Sequence, residues 1–265
     1  MKSIITLLSL LSFSSFAQYL TVNETGEVVT MSKAALGGAY GNTFDQSAFD
    51  QFDGYAKTTG GKMGFCPQVI HLPTVMDAVL NTILEDSREK QDIVLVLDTT
   101  GSMGDEIESV KENLVRLIGQ LKESSEEKSF KVSVILYKDS EKPDPYVAKI
   151  LIDLSSDLEK ISEELKKITV SGGGDHPEAV LDAFELVAEQ VHFRLNSSKS
   201  IIVLGDAPGH LNSKTTGKST DEVLDLFFTA DGSVKISPIL VSNISGPVPG
   251  FEKPVELPVI KPTVD

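Results

Sequence analysis

Ile93-Val94-Leu95-Val96-Leu97-Asp98-Thr99-Thr100-Gly101-Ser102-Met103 is the stretch whose reading decides the fold. Five consecutive apolar residues with no polar alternation mark a strand buried on both faces, the pattern of a central parallel strand covered by helices on each side. One acidic and two hydroxyl side chains, Asp98, Thr100 and Ser102, then emerge together from its carboxyl end. Open α/β sheets place their ligands at that end. Oxygen donors in such a position outline a cation site.

Working outward, strand and helix patterns alternate from Gln91 to about Asn243. Ile107, Val110, Leu114, Leu117, Ile118 and Leu121 recur at helical spacing and predict a helix over 105–122. A strand over 131–137, an edge strand over 147–151 and a helix over 157–167 follow. After Gly172-Gly173-Gly174 a helix is expected over 177–193, with Pro177 in a first turn that needs no amide donor. A strand over 201–204, a helix over 220–228 and a strand over 235–241 complete the series. This order predicts a doubly wound, mostly parallel, Rossmann-like α/β sheet with helices on both faces and right-handed crossovers.

The flanks read differently. Met1-Lys2, a short apolar core over residues 4–11 and the small-residue exit Ser15-Phe16-Ala17 have the form of a secretory signal peptide, with cleavage after Ala17. The apolar stretch is too short and too Ser-rich to span a membrane comfortably, no later segment is long enough, and no Cys follows the exit for lipid attachment. A secreted or periplasmic protein is expected. Residues 18–90 are a mixed segment whose role the sequence does not reveal, with a helix near 74–90 carrying Val75, Val79 and Ile83 on one face. Residues 246–265 are punctuated by five prolines and read as an extended tail. Cys66 stands alone and reads as a buried thiol. The formal net charge of −15 disfavours nucleic acid and anionic membranes as partners, because such surfaces are bound by Lys and Arg clusters that are missing here.

Three separated segments together resemble the von Willebrand factor A domains, a family with a Rossmann-like sheet and a metal-ion-dependent adhesion site. Asp98, Thr100 and Ser102 stand where that family has Asp-x-Ser-x-Ser, and the middle Thr keeps the hydroxyl. Gly172-Gly173-Gly174-Asp175-His176-Pro177-Glu178-Ala179 looks like the variant loop of integrin β subunits, in which a Glu replaces the more usual metal-ligating Thr. Leu204-Gly205-Asp206-Ala207-Pro208 is similar to the segment carrying the family's strand-four Asp, with Gly205 in place of the common Thr. The resemblance covers residues 91–245 at most. It implies Asp98 as the anchor, Thr100 and Ser102 as hydroxyl ligands, Glu178 as a direct ligand and Asp206 as a direct or water-mediated one. The region is short for the family, so a final helix and strand are either missing or supplied by the N-terminal segment.

The residue chemistry agrees. Carboxylates about 4 Å apart at an effective dielectric near 20 repel by ~4 kcal/mol per pair, and a hard divalent ion reverses that sign. Oxygen-only ligands, with no His or Cys, favour Mg²⁺, Mn²⁺ or Ca²⁺ over Zn²⁺. The resemblance implies metal-dependent adhesion to a protein ligand whose Asp or Glu completes the metal shell. Three carboxylates overcompensate a 2+ ion, so the pull on an acidic partner is expected to be weaker than in sites with two. Two alternatives stay open. One is a Mg²⁺-dependent hydrolase or phosphoryl-transfer enzyme with Asp98 as nucleophile, although Thr100 stands where a second, acid/base Asp is wanted. The other is an ion that only staples the loops. Asp105 and Glu106 read as charges suited to a helix N-terminus or, by the resemblance, as ligands of a second cation. Asp175, the Pro177 carbonyl and Glu178 resemble a third cation position. Thr216-Gly217-Lys218-Ser219 lacks the earlier Gly of a phosphate loop, and His176 and His210 read as solvated loop imidazoles.

Overall fold

The computed structural model describes residues 18–242 apart from 24, 41–43, 105–106, 124–127, 140–144 and 174–175. The signal-like stretch 1–17 and the Pro-punctuated tail lie outside the described residues. The N-terminal segment forms β1 (Gln18–Val22), β2 (Val28–Ser32), α1 (Lys33–Tyr40), α2 (Gln46–Thr59), β3 (Gly64–Cys66) and α3 (Leu72–Leu84). Then come β4 (Lys90–Asp98), α4 (Ile107–Glu123), β5 (Ser129–Tyr137), β6 (Ala148–Ser155) and α5 (Leu158–Leu165). The chain continues with α6 (Val180–Gln190), β7 (Ser198–Gly205), α7 (Thr220–Asp225), a small hairpin of β8 (Phe228–Thr229) and β9 (Gly232–Ser233), and β10 (Lys235–Val241).

One eight-stranded sheet runs in the order β2-β1-β3-β10-β7-β4-β5-β6. Its six inner strands are parallel, and only the edge strands β2 and β6 run antiparallel to their neighbours. Both faces are covered, as the unbroken apolar run predicted. Ile93, Leu95 and Leu97 of β4 enter one core with the inward residues of α3, α4 and α5. Val94 and Val96 enter the other, with residues of α1, α2, α6 and α7. The chain leaves β4 toward β5 on one side and later returns to build β7 on the other. The carboxyl ends of β4 and β7 therefore flank a topological switch point, where sheets of this class bind ligands.

The strand beyond β10 is β3, so the N-terminal segment extends the sheet at the edge where the family-like region runs out. Its helices are locally well specified. Asp45 caps α2 by accepting from Ala48 N at 2.8 Å, and Gly60, at φ 76°, ends it. Cys66 is buried, and its Sγ donates to Gln68 O.

Several boundaries differ from expectation for physical reasons. The helix expected over 74–90 stops at Leu84, because Asp86 turns the chain by accepting from Arg88 N at 3.0 Å and from its guanidinium at 2.7 Å. The helix expected from Pro177 begins at Val180, so Pro177 is not in a helical first turn. Glu178 N is instead drawn to Pro208 O at 2.8 Å and Ala179 N to Lys138 O at 2.9 Å, which holds Glu178 in a parallel bridge to Gly209 and keeps this segment out of the helix. The helix expected over 220–228 ends at Asp225, and the β8–β9 hairpin begins at Phe228. Among the described residues no helix is long and apolar enough to cross a membrane.

Candidate metal centre

Asp98 ends β4 and is 1 % exposed. Its Oδ1 accepts from Thr100 N at 2.9 Å and from Thr100 Oγ1 at 2.7 Å, which turns the chain sharply after the strand. Thr100 Oγ1 lies 3.0 Å from Ser102 Oγ, and Ser102 Oγ donates to Asp206 Oδ1 at 3.1 Å. A continuous run of oxygens thus crosses the switch point from the end of β4 to the residue after β7. Buried Glu178 closes a third side: with Thr100, Ser102, Gly173 and Asp206 it lines a hollow of about 150 Å³. Four of the five oxygen-bearing side chains expected at the site, Thr100, Ser102, Glu178 and Asp206, therefore line the hollow, and Asp98 lies behind them, bonded to Thr100.

Backbone bonds between loops hold this arrangement. Thr99 N donates to Tyr137 O at 3.0 Å, Gly101 N to Gly172 O at 2.9 Å, and Ser171 N to Thr99 O at 3.2 Å. Gly173 takes φ +88°, and a Cβ there would lie 3.2 Å from Thr100 Cβ and 3.5 Å from Glu178 Oε1. The hollow depends on that missing side chain. Glu178 O accepts from His210 N at 3.0 Å, completing a two-bond bridge between Glu178 and the loop of Pro208 and His210.

Helix α2 clamps the same bridge. Gln51 Nε2 donates to Gly209 O at 3.0 Å, and Gln51 Oε1 accepts from Gly209 N at 2.7 Å. At its start, Asp45 Oδ2 meets His176 Nε2 at 2.7 Å. Gln51, Asp45, Tyr137 and Lys138 are the neighbours that sequence reasoning missed. Only Tyr137 left a usable signal, since the end of the second predicted strand falls level with Asp98.

Burial, and then the charge of Asp206, push the Asp98 carboxyl up to about 7, against the opposing pull of the Thr100 hydrogen bonds and Lys138. Burial also drives the Tyr137 phenol well above its usual range, helped by the charges of Asp98, Glu178 and Asp206 in that order. Three carboxylates act on one phenol. Among the described residues Asp98 Oδ2 is buried with no hydrogen-bond partner, an orphaned carboxyl oxygen of the kind a cation satisfies. Among the described residues no group of three or more His, Cys, Asp or Glu side chains closes tightly enough to hold an ion by itself. The set fits a hard cation only with the hydroxyls of Thr100 and Ser102 included.

Asp105, Glu106 and Asp175 lie outside the described residues; Pro177 is half-buried beside Glu178. His210 is not a solvated imidazole, because its Nε2 lies 3.2 Å from Oδ1 of buried Asp139. Thr216 and Lys218, in the stretch compared with a phosphate loop, both bond Glu185 of α6 at 2.7 Å. A larger cavity of about 420 Å³ lies between β1 and α2, where Asp53 already pairs with Lys57 at 2.5 Å.

The sequence pattern of the von Willebrand factor A domain matches residues 92–240, more than half of the chain, and the chain belongs to that family. It is similar to mouse von Willebrand factor A domain-containing protein 7, with 30% identity over 166 residues that cover 56% of this chain and 18% of that protein. It is also similar to alpha-protein kinase vwkA of Dictyostelium discoideum, 28% identical over 119 residues, 45% of this chain and 19% of the kinase. The chain thus spans less than a fifth of the length of these relatives. Among solved structures, the conserved hypothetical protein BatB from Bacteroides thetaiotaomicron superposes with a TM-score of 0.41 at 18% identity, covering 57% of this chain and 66% of that one.

Proposed function

We propose that this chain is an exported von Willebrand factor A module that binds a divalent cation and, through it, a protein ligand at the carboxyl ends of β4 and β7. Asp98, Thr100, Ser102, Glu178 and Asp206 would hold Mg²⁺, Mn²⁺ or Ca²⁺, the ions such oxygen donors prefer. A bound ion of this kind supplies a Lewis-acidic point at which a partner's Asp or Glu displaces water. The observation that carries the reading is the unbroken oxygen run from Asp98 through Thr100 and Ser102 to Asp206, with the Asp98 Oδ2 orphan beneath it. An exported location is supported by the signal-like pattern of residues 1–17.

Phosphoryl transfer through Asp98 is less well supported. A nucleophile must reach its substrate, and Asp98 is 1 % exposed, sits behind fully buried Thr100 and has Oδ1 tied by two hydrogen bonds.

Isothermal titration of the folded chain with Mg²⁺, Mn²⁺ and Ca²⁺ tests the metal. One-to-one uptake that Asp98→Ala abolishes is expected, and no uptake of any of the three ions removes the reading. Capture of a partner from the native surroundings that EDTA reverses, without turnover of phosphate esters, separates the binding module from the enzyme. The exported protein is expected to begin at Gln18 on amino-terminal sequencing.

A further inference from the structure

Lys138 follows the last residue of β5 and is only 2 % exposed. Its Nζ donates to the carbonyls of Thr99 and Ser171, so one ammonium sits at the junction of the first and second site loops. Its own carbonyl accepts from Ala179 N at 2.9 Å, beside Glu178. An ammonium taken out of water is costly unless dipoles and negative charge compensate it. Two carbonyls supply the dipoles, and the first of them belongs to Thr99, the residue directly after Asp98. The adjacent buried carboxylate, Asp139, is engaged by His210.

We propose that Lys138 is the fixed counter-charge of the metal centre, cancelling one of the three carboxylate charges so that a bound 2+ ion keeps its attraction for a carboxylate on the partner. This rests on the metal-binding reading above. Asp98, Glu178 and Asp206 together with a divalent ion leave one net negative charge, which repels an acidic ligand. Over these five groups, Lys138 brings the sum to zero. The weaker pull expected from a three-carboxylate site is thereby offset from inside the fold, and Lys138 acts as a positioning and specificity-determining residue without touching the ligand.

A mere staple and a counter-charge predict opposite signs. Lys138→Gln keeps an N–H₂ donor for the two carbonyls and removes the charge. The probes are Mn²⁺, followed by titration calorimetry, and acetate, followed by the loss of water-proton relaxation enhancement from the Mn²⁺-loaded full chain. In Lys138→Gln, Mn²⁺ is expected to bind about tenfold more tightly and acetate about tenfold more weakly, the effect of one unit charge within about 10 Å at an effective dielectric near 20. Weakening of Mn²⁺ and acetate together, as lost loop support would cause, overturns the proposal and leaves the metal site standing. Absence of Mn²⁺ uptake by the wild-type chain removes both. Should Lys138→Gln not fold, Glu178→Gln at saturating Mn²⁺ makes the test from the other side. Acetate then tightens about tenfold if net charge governs the site, and an unchanged or weaker affinity overturns the proposal.

Discussion

Burial and the neighbouring Asp206 raise the Asp98 carboxyl from 3.8 to about 7 in the metal-free fold. Between those values the folded chain holds a proton that the unfolded chain has released, so stability falls as pH rises through the window. The cost once both states are ionised is roughly 4 kcal/mol. In EDTA the melting temperature is therefore expected to drop between about pH 4 and about pH 7 more steeply in wild type than in Asp98→Asn; parallel slopes would assign the titration to another group. A second residue-scale prediction concerns Gly205, which stands where the family commonly has Thr. A Cβ there would lie 2.5 Å from Tyr137 Oη and 3.5 Å from Asp98 Oδ2. Tyr137 is fully buried and has no room to retreat. Gly205→Ala is expected to destabilise the chain by about 2 kcal/mol through overpacking, and Tyr137→Phe in the same molecule to recover most of that loss. Additive losses in the double-mutant cycle would show that the two positions do not collide. The departure at Gly205 was plain in the sequence, but its cause was not, because Tyr137 comes from a different strand.

Helix α2 shows which parts of an element the chain declares locally. Phe49, Phe52, Ala56 and Thr59 fall on one buried face, with Asp45 as cap and Gly60 as stop, local signals present in the sequence that the reading of residues 18–90, with its one helix near 74–90, did not take up. Its target was not, since Gln51 meets Gly209 across 158 positions. The same holds for Glu178. Its residue type and loop pattern marked it as a ligand, whereas its extended backbone is dictated by Pro208 and His210, and the expected helical start at Pro177 gave way to that bridge. At the other end of the clamp, burial would raise the Asp45 carboxyl, but the His176 hydrogen bond and the Ala48 amide outweigh it and hold it low. If α2 positions the loops, Gln51→Ala costs about 1 kcal/mol in stability for the lost pair of hydrogen bonds and weakens Mn²⁺ binding by about tenfold, the effect of a displaced outer-shell support. Lys57→Ala on the same helix, which removes a pair between exposed Lys57 and buried Asp53, is expected to leave Mn²⁺ affinity unchanged. Equal Mn²⁺ affinity in Gln51→Ala and wild type, measured calorimetrically, would detach α2 from the site.

At the scale of the whole molecule, the family-matching residues 92–240 leave one edge of the sheet unfinished. The resemblance to the family implied that shortfall, and local patterning could not resolve it, because parallel pairing of β3 with β10 joins residues far apart in the chain. The pairing has an energetic consequence on both faces. Val75, Met76, Val79 and Ile83 share a core with Ile239 and Val241, while Phe49, Phe52, Tyr55 and Phe65 share the other with Ile236 and Leu240. Removing residues 18–89 would strip both faces of β10 and open its edge, and an exposed apolar edge strand templates aggregation. Residues 90–242 expressed alone are therefore expected to be insoluble, or soluble only as a dye-binding species without a cooperative melt. Residues 18–242 are expected to unfold in a single calorimetric transition whose van't Hoff and calorimetric enthalpies agree. A shortened chain that melts cooperatively near the temperature of the longer one would make the N-terminal segment an appendage. The clamp from Gln51 to Gly209 would then have to be judged as a contact between separate units, and its influence on the proposed metal site would lose the rigid sheet that transmits it.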